Sequence, residues 1–540
     1  MLKGMSRDRV KGFLNVDGTR IVNEAGKEVI LTGWGLGNWL LCEGYMWLSD
    51  GCGRMDRPRR IEQVVEELTG ADYAQQFWST FRRNYITAKD IEGMAKLGYN
   101  SIRVPINYRL FMEEGEDIIW KEEGFDLLDQ CVEWCEQFGL YMWIDLHGAP
   151  GGQTGANIDD CIDDMPRLFM DEYQFNKGVA LWEQLARRYH DRWIIAGYDI
   201  LNEPLRPKRT ETDIDVEYLV PELKRFYEEA IAAIRKWDTR HLISLEGHQW
   251  ATQPHVFCKK YDEKMVIHFH RYGCLPDRDC LKLYQELSRR WNCPLWLGET
   301  GEGDLSWYTA LYPLAAEFGI GYNIWPWKKM DTQNSPCSVV KPADWDKIIA
   351  YAKGGKHPGY SKAQEILNEY LQNMLYENCI HHNEITDYVL RRPGSRIMAV
   401  DFDELPGRGI SYSGLRQEEN ITEYRLGTGM RIEERQALKT RNMGFDCKWN
   451  KYRLIMEKGE YAQYSLHDIE EGHDVQVVLE VPKHVILQIY QDDTRLGQAE
   501  LFQSNGVTET SVYGLRASSR STIRIEVQEG MAEFIQVQTR

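Results

Sequence analysis

The sequence predicts an α/β protein: a closed (β/α)₈ barrel, the TIM-barrel arrangement, followed by a smaller β-sandwich of jelly-roll type. Three observations predict it. At 540 residues the chain exceeds what one hydrophobic core usually serves. Between residue 29 and about 327, short apolar, β-branched and aromatic runs alternate with longer stretches of helical spacing, and eight such alternations suggest closure. From about residue 395 the character shifts to period-2 runs broken by Gly, Asp and Asn, which favours a sandwich. The expected domains are 1–342 for the barrel with an N-terminal hairpin, 343–394 for a helical linker, and 395–540 for the β-sandwich.

Taken in order, Phe13 to Val22 and the following Asn23 to Ile30 read as a small hairpin, closed by Asp17-Gly18 or Ala25-Gly26, that plugs the barrel floor. The eight strands are read at Val29–Trp39, Ser101–Ile106, Leu140–His147, Ala196–Asn202, Leu242–Glu246, Met265–Tyr272, Pro294–Glu299 and Gly321–Trp327. Amphipathic helices are read at Ala88–Leu97, Phe125–Phe138, Gly178–His190, Val220–Trp237 and Leu281–Trp291. Residues 44–86 form an insertion after the first strand, expected to build the pocket walls because long βα loops do so in barrels. Residues 343–376 read as helical. Beyond them the clearest strands begin at Val475, His484 and Thr522.

A net charge of −18 excludes nucleic acid and anionic membrane surfaces as natural partners, since both need clustered Lys and Arg. No apolar run approaches the roughly 20 residues needed to span a bilayer. The first residues lack the apolar core of a signal peptide, so the expected location is cytoplasmic, or secreted if a leader has been removed. Oligomeric state is not legible. Twelve scattered Cys read as reduced thiols, and neither Cys131 with Cys135 nor Cys379 with His381 and His382 supplies the ligand count of a zinc site.

Active sites of parallel barrels lie at the C-terminal ends of the strands. The polar residues there are Arg103, Asp145, His147, Asn202, Glu203, Glu246, His268, His270, Tyr272, Glu299 and Trp325. Carboxylates, histidines and aromatics on one rim fit sugar chemistry. Glu203, at the end of strand four, and Glu299, at the end of strand seven, can sit about 5–5.5 Å apart, the spacing of retaining glycosidases. One would protonate the leaving oxygen and the other attack the anomeric carbon. A lone strand-end carboxylate is more often a helix cap or solvated ion pair. Glu302 reads as such a loop carboxylate, Arg103 could pair with a buried acid, and Glu246 is read as either a substrate contact or a structural group.

The combination of Asn202-Glu-Pro204, Gly298-Glu299, Arg103 in Asn100-Ser-Ile-Arg-Val-Pro105, and His270-Arg-Tyr272 resembles family 5 of the glycoside hydrolases, in clan A, over about residues 10–340. The resemblance implies Glu203 as acid/base and Glu299 as nucleophile. It further implies Asn202 as donor to the sugar 2-hydroxyl, Arg103 and Tyr272 as residues orienting the nucleophile, His270 as a lining residue of the same subsite, and Trp325 as stacking platform, with Trp327 two positions away competing for that part. Asp145-Leu-His-Gly-Ala-Pro-Gly-Gly-Gln-Thr-Gly155, Gly37-Asn-Trp-Leu-Leu-Cys-Glu43 and Phe77-Trp-Ser-Thr-Phe81 are similar to the exo-β-glucanase and β-glucosidase branch. That implies contacts from Glu43 and His147 to a terminal sugar. Gly152, Thr154, Phe269, Arg271 and the 157–169 loop depart from the branch. The expectation is a retaining β-glycosidase acting from the non-reducing end on β-glucosides or short β-glucans. An endo-β-glucanase is the enzymatic alternative, and a catalytically silent glycan-binding protein would be expected to have lost a carboxylate. A metal-dependent hydrolase lacks its expected His-x-His at strand one and bridging Lys at strand four, and no metal is expected in the site.

The segments at Ala399–Glu404, Gly407–Tyr412, Tyr424-Arg425, Gly444-Phe445 and Gly459–Tyr464 resemble family 6-like carbohydrate-binding modules. Trp449, Tyr452, Tyr461 and Tyr464 would then be the sugar-stacking candidates, although aromatics at strand spacing are usually core. No cofactor is expected, apart from the structural calcium that many such modules carry.

Overall fold

A computed structural model describes residues 10–417, 422–435 and 449–540. Gly444-Phe445 and the side chain of Trp449 lie outside the described residues. A two-stranded antiparallel hairpin, β1 (Asn15–Asp17) with β2 (Arg20–Val22), precedes the barrel. Both expected turns form: Gly18 and Gly26 take positive φ of 63° and 70°, and Val22 bridges back to Glu28.

The barrel closes in the order expected of a chain that winds once around it. Its strands are β3 (Thr32–Gly35), β4 (Ser101–Asn107), β5 (Tyr141–Gly148), β6 (Ile195–Asp199), β7 (Leu242–Glu246), β8 (Met265–Arg271), β9 (Leu295–Gly301) and β10 (Gly321–Trp325), with β10 pairing back onto β3. Every neighbouring pair is parallel, and nearly every residue of these strands is buried, as parallel sheets require. Observed ends differ from those read in the sequence mostly by one to three residues. The instructive case is β6, which stops at Asp199, leaving Asn202 and Glu203 on the turn beyond it.

Helices start and stop where the local chemistry dictates. α1 (Pro58–Thr69) opens on proline, α2 (Ala71–Tyr85) follows directly, and α3 (Ala88–Leu97) carries a Thr87/Asp90 capping box and ends at Gly98 with φ of 103°. α4 (Glu122–Phe138) ends on a left-handed Gly139, and α5 (Glu172–Tyr189) and α6 (Val220–Arg235) complete the next two crossovers. The expectation that residues 44–86 wall the pocket is largely overturned. α1 and α2 pack outward against the helix Tyr360–Asn373, and Tyr45 and Leu48 are the residues of that insertion in the lining. The apolar face of α2, with Phe77, Trp78 and Phe81 against Trp47, made burial there more favourable than exposure to a sugar.

Beyond the barrel the chain forms an antiparallel β domain. Its centre is a strand of 22 residues, Ser518–Thr539, whose first half pairs with Tyr461–Ile469 and His484–Gln491 and whose second half pairs with Tyr452–Glu457 and Asp474–Glu480. The run at Thr522 is therefore the start of one long strand linking two sheets. Arg391 ties this domain to the barrel, donating to Thr309 O at 2.6 Å and pairing with Asp403 at 2.6 Å, with both side chains 3% exposed. Tyr452 stacks on Tyr424, and Tyr464 is buried with its hydroxyl on Ala399 O, so these two sugar-stacking candidates are core. Tyr461 is half-buried with Arg524 over its ring. For calcium the acidic segment 401–404 is a poor fit: Asp403 faces Arg391 and Ser465, Asp401 accepts from Tyr424, and Glu404 lies near Arg425 and Arg278. No described helix is long and apolar enough to cross a membrane. The described cysteines are free thiols.

Candidate active site

A pocket of about 1000 Å³ opens at the C-terminal face of the barrel, lined by Glu203 and Glu299 together with Glu43, Tyr45, His147, Trp250, His270, Tyr272, Trp325 and the 329–334 segment. Its two central carboxylates come from β9 and from the turn after β6. At the β8/β9 junction the register shifts by one residue, so that His270 faces Glu299 instead of Gly298. This bulge sets the nucleophile candidate opposite His270. Gly298 itself is required by packing, because a Cβ there would lie 1.9 Å from His268 Nε2.

Glu203 sits at φ of 44°, a left-handed conformation that costs a non-glycine residue energy, and Leu205 follows at 56°. The turn is held by Glu246, whose Oε2 accepts the Glu203 backbone N–H at 2.7 Å. Glu203 Oε1 meets His270 Nδ1 at 2.6 Å. One oxygen each of Glu203 and Glu299 lie within 4.8 Å of one another, with His270 between them.

Arg103 is the electrostatic centre beneath this pair. Fully buried, it donates from Nη1 to Glu299 at 2.6 Å, from Nε to Asp199 at 2.9 Å, and from Nη2 to Asn202 at 2.8 Å and Glu246 at 3.2 Å, with Asp145 at 3.1 Å. One cation among four carboxylates leaves the cluster short of positive charge. Burial accordingly pushes the Asp145 and Glu246 carboxyls above the usual carboxylate range, while His268 and Arg103 hold Asp199 below it against its own burial.

Asp199, His268, His270 and Glu203 form a chain that assigns the tautomers. His268 Nδ1 donates to Asp199 Oδ1 at 2.9 Å, so its Nε2 is the acceptor facing His270 Nε2 at 3.0 Å, and His270 Nδ1 is left to share a proton with Glu203. Burial lowers His268, consistent with a neutral ring. Burial also disfavours a charged His270, but Glu246, Glu299 and the Glu203 bond outweigh it and hold its proton well above the ordinary histidine range. Tyr272 donates to Glu299 Oε1 at 2.8 Å, so both oxygens of that carboxylate are held.

The sequence-read residues divide into two layers. Glu43, His147, Glu203, His270, Tyr272, Glu299 and Trp325 face the pocket. Arg103, Asn202 and Glu246 are buried beneath it and are absent from its lining. For Glu246 the expected substrate contact does not fit its placement: the side chain is 0% exposed, spends its oxygens on the Glu203 N–H, Arg103 and His270, and so holds the Glu203 turn from beneath the pocket. Arg103 acts through Glu299, and the Asn202 amide is taken up by His147 Nε2 at 3.1 Å and Arg103. Trp325 stacks parallel to His147 at 5.5 Å and donates to the Tyr45 hydroxyl, whereas Trp327 is buried with its indole on Asp90, so of the two it is Trp325 that lines the pocket.

Sequence reasoning missed Tyr45, Trp250 and the Lys329–Asn334 wall, and set aside Glu302, which lines the pocket in an ion pair with Lys329. Only the aromatic character of Tyr45 and Trp250 in long βα loops could have signalled them. Burial, then Glu299, Glu302 and Glu203, push the Glu43 carboxyl well up. His147 is lowered to about 4 by burial and by Arg103, so it is a neutral ring in the pocket wall. Glu246, His268 and His270 have metal-ligand spacing, but the Arg103 guanidinium 3.2 Å from Glu246 opposes a dication there.

Residues 64–331 match the family model described as cellulase (glycosyl hydrolase family 5). Similar curated proteins include a β-xylosidase of Phanerodontia chrysosporium, 33% identical over 263 residues, covering 48% of this chain and 52% of that one. Endoglucanase C of Acetivibrio thermocellus is 24% identical over 321 residues, covering 48% and 88%. A probable glucan 1,3-β-glucosidase A of Aspergillus niger is 30% identical over 227 residues, covering 39% and 52%. The chain thus spans about half the length of the β-xylosidase and the glucosidase it matches.

Proposed function

We propose that the protein is a retaining β-glycosidase of glycosyl hydrolase family 5, the family whose model residues 64–331 match, and that it removes single sugars from the non-reducing end of β-glucosides or short β-glucans. The observation that carries the retaining reading is the approach of the Glu203 and Glu299 oxygens to within 4.8 Å. Inverting enzymes keep their carboxyls about 6.5–9.5 Å apart to admit a water, and retaining enzymes about 5–5.5 Å.

In the first step Glu299 attacks the anomeric carbon, its carboxylate aligned by Arg103 and Tyr272, while Glu203 gives the proton it shares with His270 to the departing oxygen. In the second step Glu203 takes a proton from water, and the water oxygen displaces Glu299 from the sugar, restoring both carboxyls. Trp325 supplies the apolar face for a sugar ring. The chemistry needs side chains alone.

The exo reading is supported by where the lining residues come from. Loops after β3, β5, β7, β9 and β10 all contribute, so the catalytic pair is walled on several sides of the barrel mouth. Relatives named as a β-xylosidase and a glucan 1,3-β-glucosidase support it as well. The described cysteines, free and largely buried, support a cytoplasmic setting.

The test is hydrolysis of aryl β-glycosides and β-linked oligosaccharides by wild type and Glu299→Ala, with product lengths followed in time. Monosaccharide release from the non-reducing end, lost in the variant, is expected. Mixed oligomers would replace the exo reading with an endo-β-glucanase, and activity surviving in the variant would overturn the nucleophile assignment.

A further inference from the structure

Outside the catalytic cluster, Glu217, His248 and His255 bring three ligand-capable atoms within 4.8 Å of one another. Glu217 begins the short 3₁₀ turn before α6, in the loop that follows Glu203. His248 lies two residues beyond Glu246 at the end of β7, and His255 closes the same loop. Glu217 Oε1 stands 3.5 Å from His248 Nε2 and 3.6 Å from His255 Nδ1. Zinc bonds of about 2.1 Å place tetrahedral ligand atoms about 3.4 Å apart, so these two separations are close to tetrahedral edges.

A second observation points the same way. His248 is 0% exposed, yet neither of its ring nitrogens makes a well-formed hydrogen bond, Nε2 having only the long 3.5 Å contact to Glu217. A buried imidazole with only long contacts is costly unless something else takes its lone pair. Glu217 and His255 are open to solvent, giving an entry path and room for a water as fourth ligand.

We propose that Glu217, His248 and His255 bind a zinc-type divalent metal ion, which staples the loop after β6 to the loop after β7. Between the two histidines, Gln249, Trp250 and Ala251 take φ of 51°, 58° and 58°, a strained run of non-glycine residues. Trp250 and Thr252 of that run line the catalytic pocket. The ion therefore fixes both ends of a strained turn whose middle forms a pocket wall, and it does so without touching the reacting carboxylates.

The experiment is zinc titration by calorimetry of the metal-stripped full chain, for wild type, His255→Ala and Glu217→Gln, paired with thermal unfolding with and without zinc. One equivalent should bind to wild type and raise its Tm. Both variants should bind at least about tenfold more weakly and lose the Tm rise. Neither residue touches the pocket, so aryl-glycoside hydrolysis by the metal-free variants should equal that of metal-free wild type. Zinc binding of undiminished affinity in both variants would place the metal elsewhere, and a wild type that takes up no zinc would equally overturn the proposal.

Discussion

Replacing Glu246 by glutamine separates a residue that positions the acid from one that binds substrate. Glu246 Oε2 accepts the Glu203 N–H at 2.7 Å, and Oε1 faces three donors: Arg103 Nη2 at 3.2 Å, His268 Nδ1 at 3.2 Å and His270 Nε2 at 3.4 Å. Glutamine is the same shape but has one oxygen. If that oxygen keeps the Glu203 N–H, the new amide NH₂ points its hydrogens at a guanidinium and two imidazoles. Loss of one charge-assisted hydrogen bond in a buried site costs about 1.5–3 kcal/mol. Expressed through the transition state, that is about a 10- to 150-fold fall in kcat. KM should change little, because Glu246 is outside the pocket lining.

The pH profile carries a separate sign. Burial pushes His270 down, and Glu246 is the first of the charges that push it up and let the His270–Glu203 pair keep its proton. Without the Glu246 charge that proton leaves at lower pH, so the alkaline limb of kcat/KM against pH moves down. Steady-state kinetics on an aryl β-glucoside across pH reads both effects. A variant with raised KM, unchanged kcat and an unmoved alkaline limb would refute the positioning role and return Glu246 to the substrate.

Glu203→Ala should cost about 10²–10⁴-fold on glycosides with poor leaving groups and far less on activated aryl glycosides, with azide restoring turnover; equal loss on both classes would argue against the proton-donor role. Gly298→Ala puts a methyl 1.9 Å from His268 Nε2 in a closed core, so it should destabilise by about 1–3 kcal/mol and depress kcat by displacing the histidine pair. Chemical denaturation and kinetics with wild-type values for both would contradict that packing argument. Arg391→Ala strands the buried Asp403 carboxylate between barrel and β domain, and the first unfolding transition should lose about 3–5 kcal/mol while KM stays near wild type. An unchanged transition would show that the ion pair does not couple the two parts.

Much of this protein is legible in one dimension because the relevant physics is local. Strand and helix alternation follows from residue-to-residue periodicity, and turns and caps such as Asp17-Gly18 and Thr87/Asp90 from short-range hydrogen bonding and backbone freedom. The two catalytic candidates are legible because each sits in its own short motif at a strand end, and the barrel rule places strand ends together. Which layer each neighbour occupies depends instead on register between strands far apart in sequence. The bulge that sets Glu299 opposite His270, and the arrangement that turns Glu246 toward the Glu203 backbone, have no local signal. Trp325 and Trp327 share a face under period 2, and only the chain's exit from the sheet at residue 325 gives one to the pocket and the other to Asp90. Likewise the helices of the 58–85 insertion look like wall-building material until α1 and α2 find an apolar partner in Tyr360–Asn373. Burial is decided by what lies across a gap in space, and that gap is closed only when the whole chain has folded.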